Sequence, residues 1–230
     1  MGQYQKAWQA IWRRIDESTA RCGRNVGEIS LLAVSKRFSP EAVRRLHALG
    51  QRRFGENYVQ EARDKQQALA DLPDLSWTLI GSLQRNKAAL AARIFDRVET
   101  VDSLTLAERL SAARSVDRPP LEVLIQVNIS TEPQKSGVTP EAAVTLAGQI
   151  ALLPRLRWCG FMGMAAETGD VVEQRRQFAR LRQCQEQARA AGLSAEVLSM
   201  GMSADLDAAI AEGSTELRIG SALFGPRPEE

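Results

Sequence analysis

Short apolar runs rich in β-branched residues alternate along this chain with longer segments whose apolar positions recur at helical spacing. Residues 30–35, 52–55, 77–81, 97–101, 122–128, 157–163, 196–200 and 216–220 read as strands. Residues 40–49, 56–69, 83–92, 103–114, 140–152, 171–191 and 204–211 read as the helices between them, and a leading helix covers about 4–21. Local chemistry supports the boundaries. Ser39 and Thr139 each precede a proline, Pro40 and Pro140, as an N-cap precedes the first helical residue. Gly50, Gly192 and Gly213 stand just past helix ends, where a left-handed residue is wanted.

Strict β–α alternation calls for a parallel sheet covered by helices. Eight strands within 230 residues, with no linker-like Pro/Ser/Gly stretch, favour closure into one (β/α)8 barrel of the TIM type with an extra N-terminal helix over a doubly wound open sheet. The expected organisation is one barrel domain over 1–230, of which 1–29 is the leading helix and its connection. The rest of the composition mainly excludes. Net charge is +2 with both signs interspersed, so no field suited to nucleic acid is evident. Cys22, Cys159 and Cys184 form neither a disulfide framework nor a metal-ligand spacing. No run approaches the ~20 apolar residues that span a bilayer, and the N-terminus lacks a signal core. A cytoplasmic protein is expected, and a monomer, since no exposed apolar helix face demands a partner.

Only five of the 30 basic residues are lysines: Lys6, Lys36, Lys65, Lys87 and Lys135. Genome-wide codon bias is the bland reading of that scarcity, yet Lys36 is singular in its placement. It ends the buried-type strand Leu31-Leu32-Ala33-Val34-Ser35, and strand C-termini face the active-site mouth of a barrel. An amine desolvated there has a lowered pKa and captures carbonyls; the bland alternative is a lysine snorkelling from a strand end. Two strand-to-helix turns, Ser199-Met200-Gly201-Met202-Ser203 and Arg218-Ile219-Gly220-Ser221, carry the small residues that let backbone N–H groups approach a phosphate. They fall at the seventh and eighth strands, where barrels often hold one; tight turns alone also use such glycines. Alternation turns Arg218 inward, with Glu216 or a ligand as its partner. Asn57 and Asn128 close strands, where a ligand or a loop uses them. The segment 132–137 and residues 80–87 fit a pocket rim. His47 reads as a helix-surface residue, Trp77 and Trp158 as packing, and Cys159 as an interior thiol without a base.

Several motifs in order then resemble a known family. Ala-Val-Ser-Lys at 33–36, Phe-Gly-Glu-Asn-Tyr at 54–58, Ile-Gly-x-Leu-Gln-x-Asn-Lys at 80–87 and Leu-Ser-Met-Gly-Met-Ser-x-Asp at 198–205 are among its hallmarks. Ala-Ile-Ala-x-Gly-Ser-Thr at 209–215 and Arg-Ile-Gly-x-Ala-x-Phe-Gly-x-Arg at 218–227 complete them. Together they resemble the pyridoxal phosphate homeostasis protein family, whose fold is similar to the N-terminal barrel of alanine racemase. The resemblance implies pyridoxal 5'-phosphate (PLP) as cofactor and Lys36 as the residue holding it in a Schiff base. It implies that Ser203, with Gly220 and Ser221, holds the phosphate, that Arg218 faces the pyridine nitrogen, and that Asn57 lies near the ring. Ser199 and Met200 would line the same pocket. The family's usual Trp-His-Phe at the third strand is here Trp77-Thr78-Leu79, which removes an imidazole. The implied role is storage or delivery of PLP in vitamin B6 balance, without established catalysis, with PLP-dependent apo-enzymes as recipients. The alternative is a PLP-dependent racemase or lyase acting on small amino acids. The second domain of alanine racemase is not expected, because the chain ends directly after the barrel.

Overall fold

The computed structural model describes residues 2–130, 132 and 136–226. Its elements follow in chain order. Helix α1 (Gln3–Arg21) leads into β1 (Ser30–Val34), α2 (Pro40–His47), β2 (Arg53–Glu56), α3 (Val59–Ala68), β3 (Ser76–Leu79), α4 (Ala88–Ile94), β4 (Arg97–Val101) and α5 (Leu104–Ala113). The second half continues with β5 (Leu121–Val127), α6 (Pro140–Ala151), β6 (Leu156–Gly163), α7 (Val171–Ala190), β7 (Val197–Ser199), α8 (Leu206–Ala211), β8 (Glu216–Ile219) and α9 (Ser221–Phe224). The eight strands pair in sequence order, all parallel, and β8 closes on β1. This is the expected (β/α)8 barrel with its N-terminal helix, and the open sheet is excluded.

Boundaries shift where pairing competes with helix formation. Glu56, expected to open a helix, instead extends β2 opposite Leu79, so α3 starts at Val59. A single 3-10 turn, Arg85–Lys87, replaces the start of the expected helix before α4. Ser39 caps α2 through its side chain as expected, accepting from the Ala42 N–H at 3.3 Å. Thr139 has the cap conformation of α6 without the side-chain bond. Gly50, Gly192 and Gly213 all have positive φ. The strand-to-helix turn expected at 218–221 opens the four-residue α9 after β8.

Two apolar regions result. The larger lies between sheet and helices, where Phe54, Phe95, Phe161 and Phe178 are fully buried. Both Trp77 and Trp158 join it as packing residues. The smaller, Leu124, Cys159 and Met162 with Val197 against them, fills part of the barrel interior. Strand alternation would send Cys159 and Phe161 to one face. A bulge in β6 at Gly160 resets the parity, so Cys159 and Met162 turn inward while Phe161 joins the outer core. Gly160 has φ 149°, and a Cβ there would stand 2.0 Å from the Val197 carbonyl oxygen. Gly160→Ala is therefore expected to cost about 3 kcal/mol or more. Urea unfolding measures this; a midpoint equal to wild type would show that the bulge is not required.

Candidate functional site

The strand C-termini bring the singled-out residues to one end of the barrel. Lys36 lies two residues beyond β1 in a turn and is half-buried. Val34 pairs with Gly55, which sets Lys36 level with Asn57, itself half-buried directly after β2. On the other side β1 pairs with β8, Ala33 opposite Ile219, so Gly220 and Ser221 emerge beside the Lys36 turn. Ser203 lies in the turn before α8. That turn is braced by the leading helix: Arg14 donates to the Ser203 carbonyl oxygen at 2.7 Å and to Asp207 at 2.6 Å.

Arg218 points inward with 4% of its surface exposed. Its partner is not Glu216. Nη1 donates to the carbonyl oxygen of Ser199 at 2.6 Å and to its Oγ at 2.8 Å, and Nη2 donates to the Gly163 carbonyl oxygen at 2.9 Å. A guanidinium has five N–H donors, so donors remain beyond these three bonds. Ser199 is fully buried and its hydroxyl is committed twice, accepting from Arg218 and donating to Glu99 Oε2 at 2.6 Å. Met200, one residue on, sends its side chain into the outer core with no exposure. The expectation that its side chain lines the pocket with Ser199 is corrected by the two-residue period of the strand, which puts neighbours on opposite faces.

Below Arg218 the interior is ionic. Glu216 Oε2 accepts from Arg97 at 3.0 Å and pairs with Arg53 at 2.8 Å, while Arg97 Nε donates to Glu122 at 2.7 Å. The outer end of Glu122 is closed by Arg157. The Glu99 and Glu216 carboxyls approach each other closely enough to share a hydrogen bond, the Oε1 atom of each is buried with no other hydrogen-bond partner among the described residues, and Arg97 Nη1 lies 3.9 Å from Glu99 Oε1. Two carboxyls in such a bond share one proton. Burial and the charge of Glu216 push Glu99 well above the carboxylate range. Burial pushes Glu216 up as well, but the bond from Glu99 and the Arg53, Arg97 and Arg218 guanidinium groups outweigh it and hold Glu216 down at about 2. Glu99 therefore carries the proton. Burial also pushes the Cys159 thiol up to about 11, so it is inert at neutral pH.

A cleft of 340 Å³ opens at the same end, lined by Ile80, Ser82, Thr100, Gln126, Met164 and Met202. The larger one, 620 Å³, lies outside the barrel between α6 and α7 and includes Arg180 and Cys184; it is remote from Lys36. Gly220 leaves room in the mouth: a Cβ there would come no nearer than 3.5 Å to any protein atom, so packing does not explain the glycine. A primary amine, spare guanidinium donors and the turn N–H groups at the start of α9 form a donor set that fits an aldehyde-bearing aromatic phosphate. No cluster of three metal-ligating side chains occurs among the described residues. None of the described helices is long and apolar enough to cross a membrane. Asn128 donates to the Glu132 carbonyl oxygen at 2.8 Å and so serves its own loop. His47 pairs with Asp74 on the surface at 2.8 Å. Within the 132–137 rim, Pro133, Gln134 and Lys135 lie outside the described residues, as does Arg227 of the last motif.

The family model for the alanine racemase N-terminal domain matches residues 8–228. A pyridoxal phosphate homeostasis protein of Pseudomonas aeruginosa is 49% identical over 214 residues, 93% of this chain and 91% of its own length. One from Escherichia coli is 46% identical over 221 residues, covering 93% and 92%. The chain belongs to the pyridoxal phosphate homeostasis protein family. Among solved structures, PipY of Synechococcus elongatus with PLP bound is similar to this family member at 38% identity and a TM-score of 0.79, over 92% of this chain and all of that one. Alanine racemase of Clostridium difficile shares the fold alone, at 16% identity and a TM-score of 0.73, over 95% of this chain and 57% of its own.

The motifs of the pyridoxal phosphate homeostasis protein family did not reveal the Glu99–Glu216 pair. The inward alternation of Glu216 was a signal, but its partner lies on β4, far along the chain. Thr78, which stands where the family's histidine is usual, is fully buried with a hydroxyl that has no partner among the described residues, and nothing in the structure explains it. The proton on Glu99 has a consequence for stability. Above the ordinary carboxyl value of 4.5 the unfolded chain releases this proton while the folded chain keeps it, so Glu99 lowers stability as pH rises. Glu99→Gln keeps both hydrogen bonds without the proton. Its melting temperature relative to wild type should climb steadily above pH of about 4.5; a difference independent of pH would place the proton elsewhere.

Proposed function

We propose that this chain binds PLP at the barrel mouth, with Lys36 as the amine that holds its aldehyde, and stores and releases it in the balance of vitamin B6. The observation that carries this reading is Arg218, a buried guanidinium pinned by Ser199 and Gly163 beside the strand that delivers Lys36. The PLP-bound relative PipY supports it. When bound, PLP supplies an aldehyde that condenses with a primary amine, losing water, and a conjugated ring that withdraws electrons.

The chain's own residues would divide the work. Ser203, Gly220 and Ser221 would hold the phosphate through hydroxyl and backbone N–H groups. Asn57 would lie beside the ring. Arg218 would donate a hydrogen bond to a ring nitrogen but lend it no proton, because a guanidinium stays charged at any physiological pH. An unprotonated ring is a weak electron sink, so the site suits holding a cofactor better than racemising or cleaving an amino acid. Ser199 would act from below, keeping Arg218 oriented. Among the described residues the mouth is bordered by turns and not covered by a further layer, which suits a ligand that must leave. Cytoplasmic location, a monomeric state and delivery to PLP-dependent apo-enzymes belong to the same proposal.

Purified protein titrated with PLP should develop the visible absorption of bound cofactor, and Lys36→Ala should fold yet lack it. Retention of that band by Lys36→Ala would move the anchor elsewhere. Solvent deuterium entering the α-carbon of a small amino acid would replace the carrier reading with the enzymatic one. Transfer to a defined apo-enzyme, with free PLP trapped, should outpace spontaneous release.

A further inference from the structure

Lys36 stands between two residues that the fold grips from outside the mouth. On one side, the Ser35 carbonyl oxygen accepts from Lys65 Nζ at 2.6 Å, and the Ser35 hydroxyl donates to Glu56 Oε1 at 2.5 Å. On the other, the Arg37 backbone N–H donates to Glu61 Oε1 at 2.5 Å. Arg37 has φ 65°, a left-handed conformation that residues with side chains adopt only when their surroundings hold them there. Lys65 joins the two grips, donating to Glu56 Oε1 and to Glu61 Oε1, both at 2.7 Å. Its three N–H donors are thus all engaged. Ser35 and Glu56 are fully buried, and Lys65 is 5% exposed. Buried ion clusters are a weak source of stability, and well-packed apolar side chains often serve as well. This one is spent on the backbone at positions 35 and 37.

We propose that Lys65, Glu56 and Glu61 are positioning residues for Lys36, holding the chain on both sides of it so that its amine is presented at one place in the mouth. The proposal rests on Lys36 being the PLP anchor. With residues 35 and 37 held, only the side-chain torsions of Lys36 must be ordered when the amine engages, which lowers the entropic cost of capture. The cluster also keeps the two lysines distinct, since an ammonium with every donor engaged offers no amine to an aldehyde.

The test uses two probes on the full chain: PLP, and pyridoxine 5'-phosphate, which has the ring and phosphate but no aldehyde. Lys65→Met should weaken PLP binding about tenfold while leaving pyridoxine 5'-phosphate within about twofold of wild type. Absorption titration reads the first and calorimetry the second. Unchanged PLP affinity in the folded variant would overturn the proposal, and so would a parallel loss for both ligands, which marks general damage. Should Lys65→Met melt below the assay temperature, Glu61→Ala decides by the same pair of readouts, because that side chain is only partly buried. A selective PLP loss of about threefold or more supports the proposal, and none overturns it. Lys36→Ala run alongside separates the two failures. A band that survives in Lys36→Ala refutes the anchor itself. A band lost there but undiminished in Lys65→Met and Glu61→Ala refutes only the positioning role.

Discussion

The interior of this barrel is organised by a buried chain of charge: Arg53 and Arg97 on Glu216, Glu216 sharing a proton with Glu99, Glu99 on Ser199, and Ser199 on Arg218. A barrel of this size must fill its centre with side chains. Here Leu124, Cys159 and Met162 fill one part and ions fill the rest. Removing one member of such a set leaves an uncompensated buried charge, which costs about 3–5 kcal/mol. The shared proton matters because it removes one negative charge from a pair that could not both ionise at such close range. With Glu99 neutral, Arg218 is oriented through a hydroxyl and two carbonyl oxygens, and no carboxylate saturates its donors.

The mouth inherits its geometry from this floor. Arg218 cannot swing, because Ser199 and Gly163 hold it, and Ser199 cannot turn away, because Glu99 holds it. The walls are held differently, by contacts reaching in from the helical layer. Lys65 of α3 grips the Lys36 turn, and Arg14 of α1 grips the Ser203 turn. Helix α1 also meets α9 through the Tyr4–Phe224 ring contact, and Phe38, just past the Lys36 turn, stacks on Phe224 at 4.7 Å. The leading helix, outside the β–α repeat, thereby belongs to the architecture of the mouth.

Much of this was legible in the residues. The eight strands, the helices between them and the inward direction of Arg218 all follow from periodicity, because a strand alternates faces and a helix repeats every three to four positions. The motif at 33–36 singles out Lys36 at the end of β1. What escaped has two physical causes. Side-chain parity passes unchanged along a strand only if no residue is inserted, and the bulge at Gly160 in β6 breaks it without a mark in the hydrophobic pattern. Pairing between distant residues leaves no periodic trace at all: Ser199 and Glu99 are 100 positions apart, and Arg97 and Glu216 are 119.

By itself, then, the sequence determined the element order, the closed parallel architecture and the end of the barrel at which Lys36, Asn57 and Gly220 come together, since each of these depends on local spacing and on the handed closure of β–α units. The tertiary structure decided which carboxyl holds a proton, which serine is already committed, that Met200 turns outward, and that Lys65 reaches the turn carrying Lys36. Those depend on charges and donors that meet only when the barrel closes, in an interior dry enough for every unpaired group to be costly.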